Sequence, residues 1–357
     1  MEIQIGNKII SMDSKPYFIA DIAANHDGDL DRAYKLIELA KEAGADAAKF
    51  QNFKAHKIVS RKGFDTMEKQ SHQAQWKKSV FEVYDDASVN DSWSEKLKSK
   101  CDEVGIEYMT SPYDFESVDH AEPYVNAYKI GSGDITWLEM LEYIAKKQKP
   151  VLLATGASSM EEVEKAVSAI SKNNQKIVLM QCNTNYTADA MNMHYINLNV
   201  IKTYANRFPN CILGLSDHTF GHTTVLGGIA LGARVIEKHF TDDNNRIGPD
   251  HKFSMTPKTW AEMVKESMNL WYALGNGIKK VEENEMKSRI VQQRALYTVK
   301  EIKKGEEITR EHLYPLRPIR EGSILPYEID NVLGKRAAKD ILVDSHIKWE
   351  DLIDDIR

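Results

Sequence analysis

The sequence lacks the features that mark secreted, membrane-bound or disulfide-linked proteins. It has three cysteines in 357 residues, an odd number without CxxC spacing, which favours reduced thiols over disulfides or a zinc cluster. No apolar run approaches the ~20 residues that span a bilayer. The first residues show no basic start followed by an apolar core, so we predict no secretory signal. We therefore expect a cytoplasmic protein with no membrane partner.

An excess of charge of one sign is also missing. Lys and Arg together number 47, Asp and Glu number 53, and the net charge is −6. No long block of like charges occurs in the sequence. Because a protein that binds nucleic acid needs a basic face or stripe, we expect no nucleic-acid partner.

What the sequence does contain is a regular alternation of short apolar runs with stretches of helical period, which is typical of parallel βα units. Leu30–Glu42 and Ser159–Lys172 are two of the predicted helices. Eight apolar runs are predicted strands, the number that closes a (β/α)8 TIM barrel of the α/β class. The predicted strands are Tyr17–Ala23, Asp46–Gln51, Glu107–Thr110, Ala127–Ile130, Pro150–Ala154, Ile177–Gln181, Cys211–Leu215 and Arg234–His239.

The pattern changes near Gly275. We predict the barrel over residues 1–275, a helical or loose linker over 276–294, and a small β-rich domain over 295–357. A module of fewer than ~70 residues is hard to stabilise alone, so it is expected to pack on the barrel or on a second subunit. The segment 54–87 is long for a loop, and such loops usually serve the site; an insertion without fixed structure is the alternative.

Two lysines, Lys49 and Lys129, end predicted barrel strands, where functional residues of such barrels lie. A partly buried ammonium group is costly unless an anion faces it. With the hydroxyl groups of Thr110, Ser132 and Ser216 at the same end, the lysines predict a bound phosphate or carboxylate. The alternative is that the lysines reach solvent or pair with nearby carboxylates.

Two histidines, His218 and His239, end the seventh and eighth predicted strands. Neighbouring strands lie ~5 Å apart, so both imidazoles can converge on one ion. Two ligands leave most of the coordination sphere open, which favours a labile Mn²⁺- or Mg²⁺-type ion over a closed zinc site. The alternative is two hydrogen-bonded core histidines.

Carboxylates end other strands at the same rim. Asp21 and Asp134 are candidates for acid–base work or for binding sugar hydroxyls, and helix capping is the alternative for each. Asp250 follows Gly248-Pro249, a turn that could present its carboxylate to the rim, although a solvated turn explains it equally well.

Ten short motifs, taken in order, resemble the sialic acid (N-acetylneuraminate) synthase family over nearly the whole chain. In that family a phosphoenolpyruvate-using barrel precedes an antifreeze-like (SAF) domain. The motifs are NHDG at Asn25–Gly28, GADAAKFQ at Gly44–Gln51, SPYD at Ser111–Asp114, YKIGSGDI at Tyr128–Ile135, LLATGAS at Leu152–Ser158, GLSDHT at Gly214–Thr219, EKHFT at Glu237–Thr241, GPDH at Gly248–His251, IKKGE at Ile302–Glu306 and LRP at Leu316–Pro318.

The resemblance implies a synthase that condenses phosphoenolpyruvate with N-acetylmannosamine and water and releases phosphate by C–O cleavage. It implies a domain-swapped homodimer and a divalent metal, Mn²⁺ first, with Mg²⁺ or Co²⁺ as alternatives, held by His218 and His239. The implied catalytic residues are Asp21, Lys49, Lys129 and Asp134. The implied phosphoenolpyruvate contacts are Lys49, Thr110, Lys129, Ser132, Thr184 and Ser216. The implied sugar contacts are Asp21, Gln51, Asp134, Tyr186, Asp250 and Arg317 of the partner subunit.

The departures from the family pattern lie around the sugar. Asp21 and Asp134 stand where the family commonly has Glu, and Gln181-Cys182-Asn183 stands where many members have His-Cys-Thr. A legionaminic or pseudaminic acid synthase using a diacetamido sugar therefore stays open, as does a barrel enzyme using a phosphorylated aldose. The non-enzyme alternative is a catalytically dead sugar-binding protein.

Overall fold

The computed structural model describes residues 1–67, 73, 76–186 and 189–353. The chain divides into two compact units, Met1–Gly275 and Asn276–Arg357. The first unit opens with an antiparallel hairpin of β1 (Glu2–Ile5) and β2 (Lys8–Ser11).

Eight parallel strands then form a closed barrel, in which β3 to β10 follow one another around the ring and β10 pairs with β3. All eight predicted strands are present, so the predicted TIM barrel is confirmed. The barrel strands are β3 (Tyr17–Asp21), β4 (Ala47–Asn52), β5 (Glu107–Pro112), β6 (Tyr128–Ile130), β7 (Val151–Ala154), β8 (Ile177–Cys182), β9 (Ile212–Asp217) and β10 (Val235–His239).

Helices follow the strands. Those of the first unit are α1 (Leu30–Glu42), α2 (Ala55–Ile58), α3 (Arg61–Asp65), α4 (Val80–Ala87), α5 (Trp93–Val104), α6 (Phe115–Ala121), α7 (Leu138–Lys146), α8 (Met160–Ser171), α9 (Val200–Arg207), α10 (Thr223–Ala230) and α11 (Pro257–Leu274). None of the helices in the described ranges is long and apolar enough to cross a bilayer.

The two predicted helices show why these segments are helical. Helix α1 begins after Asp29, whose carboxylate accepts hydrogen bonds from the first-turn amides. Helix α8 begins with a reciprocal capping box between Ser159 and Glu162. Both helices bury one apolar stripe against the barrel; α1 has the predicted bounds, and the predicted bounds of α8 differ only by its two cap residues.

Side chains of the barrel strands alternate between two layers. Phe18, Phe50 and Tyr108 point outward into the core under the helices. The inward set near the amino-terminal ends of the strands packs against the β1–β2 hairpin, which thus closes that end of the barrel and which the sequence did not predict. This inner core consists of Ile3, Ile5, Ile10, Tyr17, Ile19, Ala47, Met109, Ala127, Leu152, Val178, Met180, Ile212 and Val235.

The long segment after β4 carries short helices in its described part. Helix α2 packs on α4, and α3 also contacts α4. Phe53 meets the ring of Tyr84 with centroids 5.5 Å apart and that of Tyr113 at 5.7 Å. The segment therefore contributes an aromatic wall beside the barrel mouth; residues 68–72 and 74–75, within the predicted insertion, lie outside the described part.

The second unit has its own small core of aliphatic side chains, including Leu296, Ile308 and Ile347. Its elements are α12 (Met286–Gln292), β11 (Ala295–Thr298), β12 (Leu313–Leu316), α13 (Ile329–Val332), β13 (Arg336–Ala337) and β14 (Leu352–Ile353). The strands pair antiparallel, β11 with β12 and β13 with β14. This agrees with the predicted β-rich domain.

Candidate functional site

Polar side chains continue the inward layer at the carboxyl-terminal ends of the strands. The predicted residues Asp21, Lys49 and Lys129 lie on this face, and all three are nearly inaccessible to solvent. Glu237 shares the face and is also buried. A charged cluster therefore lies directly above the apolar interior of the barrel.

Each lysine of this cluster has a carboxylate partner. Lys49 Nζ lies 2.7 Å from Asp21 Oδ2 and 3.9 Å from Glu237 Oε2. Lys129 Nζ lies 3.0 Å from Glu237 Oε1, which also accepts a hydrogen bond of 3.0 Å from Ser216 Oγ. The alternative of local ion pairs is thus realised, and the lysines do not by themselves require an anionic ligand.

The pKa values follow from these contacts. Burial raises the pKa of Glu237, but Lys129 and Lys49 outweigh it and lower the pKa to about 2, so Glu237 stays ionised. Burial also dominates at Asp21, whose pKa is raised although Lys49 opposes the shift.

Two further carboxyl groups at the mouth hold protons more readily than usual. Burial raises the pKa of Asp134 to about 6, against the opposing charge of Lys129. Burial, together with the charge of Asp21, raises the pKa of Asp250 to about 7. Near neutral pH the cluster can therefore exchange protons, which suits acid–base chemistry.

His218 and His239 meet at the mouth, with ring centroids 5.4 Å apart. His218 Nδ1 lies 2.8 Å from the carbonyl oxygen of Asn183, so Nδ1 is the protonated nitrogen and Nε2 keeps its lone pair. His239 Nδ1 is buried and has no hydrogen-bond partner in the described ranges. The predicted convergence of the two imidazoles is observed.

Both histidines are held neutral. Burial, with the neighbouring His239 next, lowers the pKa of His218 to about 4. Burial, with Lys49 next, lowers the pKa of His239 to about 3. Neutral imidazoles are the form that binds metal. Among the described residues no three His, Cys, Asp or Glu side chains converge as one metal site.

Aromatic rings surround the two histidines. Tyr186, predicted in the sugar site, lies 4.3 Å from the His218 ring. Phe253 packs edge-on against His239 at 4.9 Å and lies 5.5 Å from Tyr186. Phe253 was not predicted in the site, because an aromatic residue two positions after the GPDH motif resembles an ordinary core residue.

The predicted contact Thr110 is wrong by one position. Its hydroxyl donates to Asn52 Oδ1 at 2.6 Å and to the Phe50 carbonyl at 3.1 Å, on the outward layer of β5. Gln51 of the inward layer is in register with Ser111, so Ser111 is the β5 hydroxyl at the mouth. Strand alternation would have found it once the inward position of Lys49 was fixed.

Ser132 and Thr184 lie on either side of Gly156. Ser132 Oγ accepts a 2.8 Å hydrogen bond from the Gly156 amide. A Cβ at Gly156 would meet Thr184 Cγ2 at 2.5 Å and Cys182 Sγ at 3.1 Å. Only glycine therefore lets these three strand ends approach so closely.

An open cavity is lined by three of the predicted sugar residues, Gln51, Tyr186 and Asp250. Gln51, Tyr186, His239 and Asp250 line one part of it. The other part is the aromatic wall, with Phe53, Val83, Tyr84 and Tyr113 among its lining residues. The cavity therefore offers carboxylate and amide groups on one side and apolar surface on the other, as small-molecule sites commonly do.

The loop that carries Asp250 is fastened to the loop after β3. His251 is fully buried; its Nε2 lies 2.9 Å from Asp27 Oδ1 and its Nδ1 lies 2.7 Å from Thr241 Oγ1. Arg246 contacts the other oxygen of Asp27 at 2.7 Å. The Ala24 amide reaches Asp250 Oδ2 at 3.3 Å. The NHDG and GPDH motifs therefore contact each other, which their sequences alone do not predict.

The predicted site residues thus fall in three groups. Arg317 lies in the second unit, directly after β12, and is exposed. Thr110 points away from the mouth. The other predicted residues gather around the barrel mouth: Asp21, Lys49, Gln51, Lys129, Ser132, Asp134, Thr184, Tyr186, Ser216, His218, His239 and Asp250.

Comparison with known proteins matches both units to families. The NeuB family matches residues 36–279, and the SAF domain matches residues 293–353. An N,N'-diacetyllegionaminic acid synthase of Campylobacter jejuni is 36% identical over 94% of this chain and 99% of its own length. A pseudaminic acid synthase of the same species is 33% identical over 98% and 99%.

A solved structure agrees. An N-acetylneuraminic acid synthetase from Leptospira borgpetersenii superposes with a TM-score of 0.71 at 28% identity, covering 81% of this chain and 95% of that one. With a family match over most of the barrel and relatives similar over nearly the full length, the chain belongs to the NeuB family and carries a SAF domain.

Proposed function

We propose that the protein condenses phosphoenolpyruvate with an N-acylated amino sugar, N-acetylmannosamine first, to form a nonulosonic acid with release of phosphate. The observation that carries the proposal is the meeting of Lys49 and Lys129 with the neutral pair His218 and His239 in one mouth. The named relatives, synthases of three different nonulosonic acids, support this reaction class.

The residues present fit a divalent ion, preferably Mn²⁺. The two neutral imidazoles would hold it, and the carbonyl of Asn183 fixes the tautomer of His218. When bound, such an ion would polarise the sugar aldehyde as a Lewis acid. Histidine with open positions for oxygen ligands suits Mn²⁺ or Mg²⁺ better than a structural zinc ion.

The lysines and hydroxyl groups of the mouth would bind the enol phosphate. Lys49 and Lys129 exchange part of their contact with Asp21 and Glu237 for phosphate and carboxylate oxygens, while Ser132, Ser111 and Ser216 donate from the rim. The two buried carboxylates hold both lysine side chains in place before the substrate arrives. Binding therefore starts from a site that is already ordered.

The proposed reaction forms one C–C bond and breaks one C–O bond. C3 of phosphoenolpyruvate bonds to the aldehyde carbon, water adds to C2, and the C2–O bond to phosphate breaks. Asp134 and Asp250, with pKa values of about 6 and about 7, are the groups best placed to donate a proton to the new alkoxide or accept one from water. Asp21 and Gln51 would order the sugar hydroxyls.

We also propose that the SAF domain acts on the site of a second copy. The resemblance assigns the acyl group of the sugar to Arg317 of the partner subunit, in a domain-swapped homodimer. The SAF domain, matched over residues 293–353, is small for a module that folds alone, which supports such an arrangement.

The test is a coupled assay on the full chain with Mn²⁺ and phosphoenolpyruvate. N-acetylmannosamine, diacetamido trideoxy hexoses and sugar phosphates are offered separately, and phosphate release and product mass are both measured. Phosphate release that requires one of the amino sugars, with a product of the condensed mass, supports the proposal. No product with any acceptor would favour the non-enzyme alternative of a sugar-binding protein.

A further inference from the structure

A buried ion pair lies on the outward face of β9 and β10, directly behind the histidine pair. Asp217 and Lys238 are cross-strand partners in the parallel register. Their side chains form a salt bridge, and each is only 1% exposed. Each residue immediately precedes one of the two histidines in the chain.

The same carboxylate also gathers the loop that follows β9. Asp217 Oδ2 accepts hydrogen bonds from Thr224 Oγ1 at 2.7 Å and from Thr219 Oγ1 at 3.0 Å, and Oδ1 accepts one from the Thr219 amide at 3.2 Å. Lys238 Nζ donates to the Thr219 carbonyl at 2.7 Å. The pair therefore fixes the residues on both sides of His218 and the first turn of α10.

Because side chains alternate along a strand, contacts on the outer face also orient the neighbouring residues on the inner face. Asp217 and Lys238 point outward, so His218 and His239 point into the mouth. Holding the backbone at 217 and 238 sets the origin and direction of the two imidazoles. The outer pair therefore lies directly behind two imidazoles whose ring centroids are 5.4 Å apart.

A buried ion pair is a poor way to gain stability alone. The desolvation cost often exceeds the attraction, and apolar replacements of similar volume are frequently neutral or stabilising. Its position next to both histidines, with every polar atom of Asp217 engaged, points to a geometric role.

We propose that Asp217 and Lys238 are a positioning pair that sets the geometry of His218 and His239 and thereby the affinity of the site for a divalent ion. The proposal rests on the proposed function, in which these histidines hold that ion. The pair itself touches neither substrate nor metal.

The experiment compares Mn²⁺ binding by the full-length wild type with that of the double variant Asp217→Asn/Lys238→Met, by the EPR signal of free Mn²⁺. The double variant removes both charges together and keeps an acceptor for Thr219 and Thr224, so it avoids an unpaired buried charge. We expect it to fold with a thermal midpoint close to that of the wild type and to bind Mn²⁺ about 10- to 100-fold more weakly. Phosphoenolpyruvate affinity, measured in EDTA, should change less than twofold.

The control is Tyr204→Phe, which removes a buried 2.9 Å hydrogen bond to Thr155 between α9 and the residue after β7, away from the histidines. It should leave Mn²⁺ affinity unchanged.

Equal Mn²⁺ affinity in wild type and double variant would overturn the positioning role alone. A wild type that binds no Mn²⁺, Mg²⁺ or Co²⁺ would instead overturn the metal site of the proposed function. If the double variant does not fold, Thr224→Val, which removes one hydrogen bond to Asp217, takes its place. We expect Thr224→Val to lower the Mn²⁺ affinity about threefold. Unchanged Mn²⁺ affinity in this variant would contradict the positioning role.

Discussion

Lys129 and Glu237 show how a barrel mouth can hold a cation ready for an anionic ligand. Their 3.0 Å contact is almost inaccessible to solvent, and removal of one partner from such a pair leaves the other charge uncompensated. Lys129→Met should therefore destabilise the fold by about 3–5 kcal/mol and weaken phosphoenolpyruvate binding about 10- to 100-fold. Urea unfolding and calorimetric titration measure the two effects.

The double variant Lys129→Met/Glu237→Gln separates these effects. Removing both charges should restore most of the stability, while the affinity for phosphoenolpyruvate stays low because the ammonium group is still absent. The exposed Lys146→Met on α7 is the matched control and should change neither quantity. Recovery of binding in the double variant would mean that Lys129 serves only to neutralise Glu237.

Asp134 should make stability depend on pH. Burial raises its pKa from 3.8 to about 6 in the folded state, so the folded protein binds the proton more tightly than the unfolded chain, and stability is lost as pH rises through about 6. Asp134→Asn removes this loss. We expect the variant to exceed the wild type by about 2 kcal/mol in unfolding free energy at pH 8, with a smaller difference at pH 5. Urea unfolding at both pH values measures it, and an equal difference at the two would contradict the assignment.

The β1–β2 hairpin should contribute strongly to barrel stability, because Ile3, Ile5 and Ile10 are about 1% exposed. Ile5→Ala removes a fully buried side chain and should cost about 2–5 kcal/mol. Ile9, in the same hairpin but 61% exposed, is the matched control, and Ile9→Ala should change stability by less than about 0.5 kcal/mol. Equal losses in the two variants, measured by urea unfolding, would show that the hairpin does not close the barrel.

The Asp27–His251 contact should keep the loop after β10 closed. Asp27→Ala removes the partner of both His251 and Arg246, and the loss of charge-assisted hydrogen bonds should raise the population of the open loop about tenfold or more. Limited trypsin digestion after Arg246, followed by mass spectrometry, measures this. Cleavage after Arg289, in exposed α12, serves as the internal control; an unchanged ratio of the two cleavage rates would exclude the fastening role.

The elements that the sequence predicted are those with a strong local signal. All eight barrel strands and helix α1 follow from apolar periodicity and caps, and the inward lysines and histidines follow from their place at the strand ends. The hairpin was missed because its apolar alternation is only four residues long in each strand. Thr110 was predicted instead of Ser111 because neighbouring residues of a strand point to opposite layers. Only the pairing of β5 with β4 shows which of the two points inward.

The partners of the charged residues could not be read from sequence at all. Glu237 is remote in the chain from both Lys49 and Lys129, and His251 is remote from Asp27, so their pairing depends on barrel closure. The cavity wall likewise combines the segment after β4 with the loop after β10. Long-range geometry of this kind is what the folded structure adds.

Arg317 of the second unit is proposed to contact the amino sugar in the site of a second copy. If Arg317 serves the site of a second copy, Arg317→Ala should raise the KM for the amino sugar about tenfold, the effect of losing one charge-assisted hydrogen bond, and leave the KM for phosphoenolpyruvate within twofold. Light scattering after size exclusion should give twice the chain mass of 40.6 kDa. A monomer, or an equal loss for both substrates, would contradict the proposed swap.

Because the β1–β2 hairpin closes the barrel, it can pack in its final place only after the barrel strands have been synthesised. The hairpin precedes all eight barrel strands in the chain and is translated before them, yet the barrel end that it packs against is complete only when β10 has been translated. Until then the apolar side chains of Ile3, Ile5 and Ile10 cannot reach their buried positions and stay exposed on the nascent chain. We expect chaperone demand during synthesis to fall when those three positions are made polar, even though the finished barrel would then be weaker.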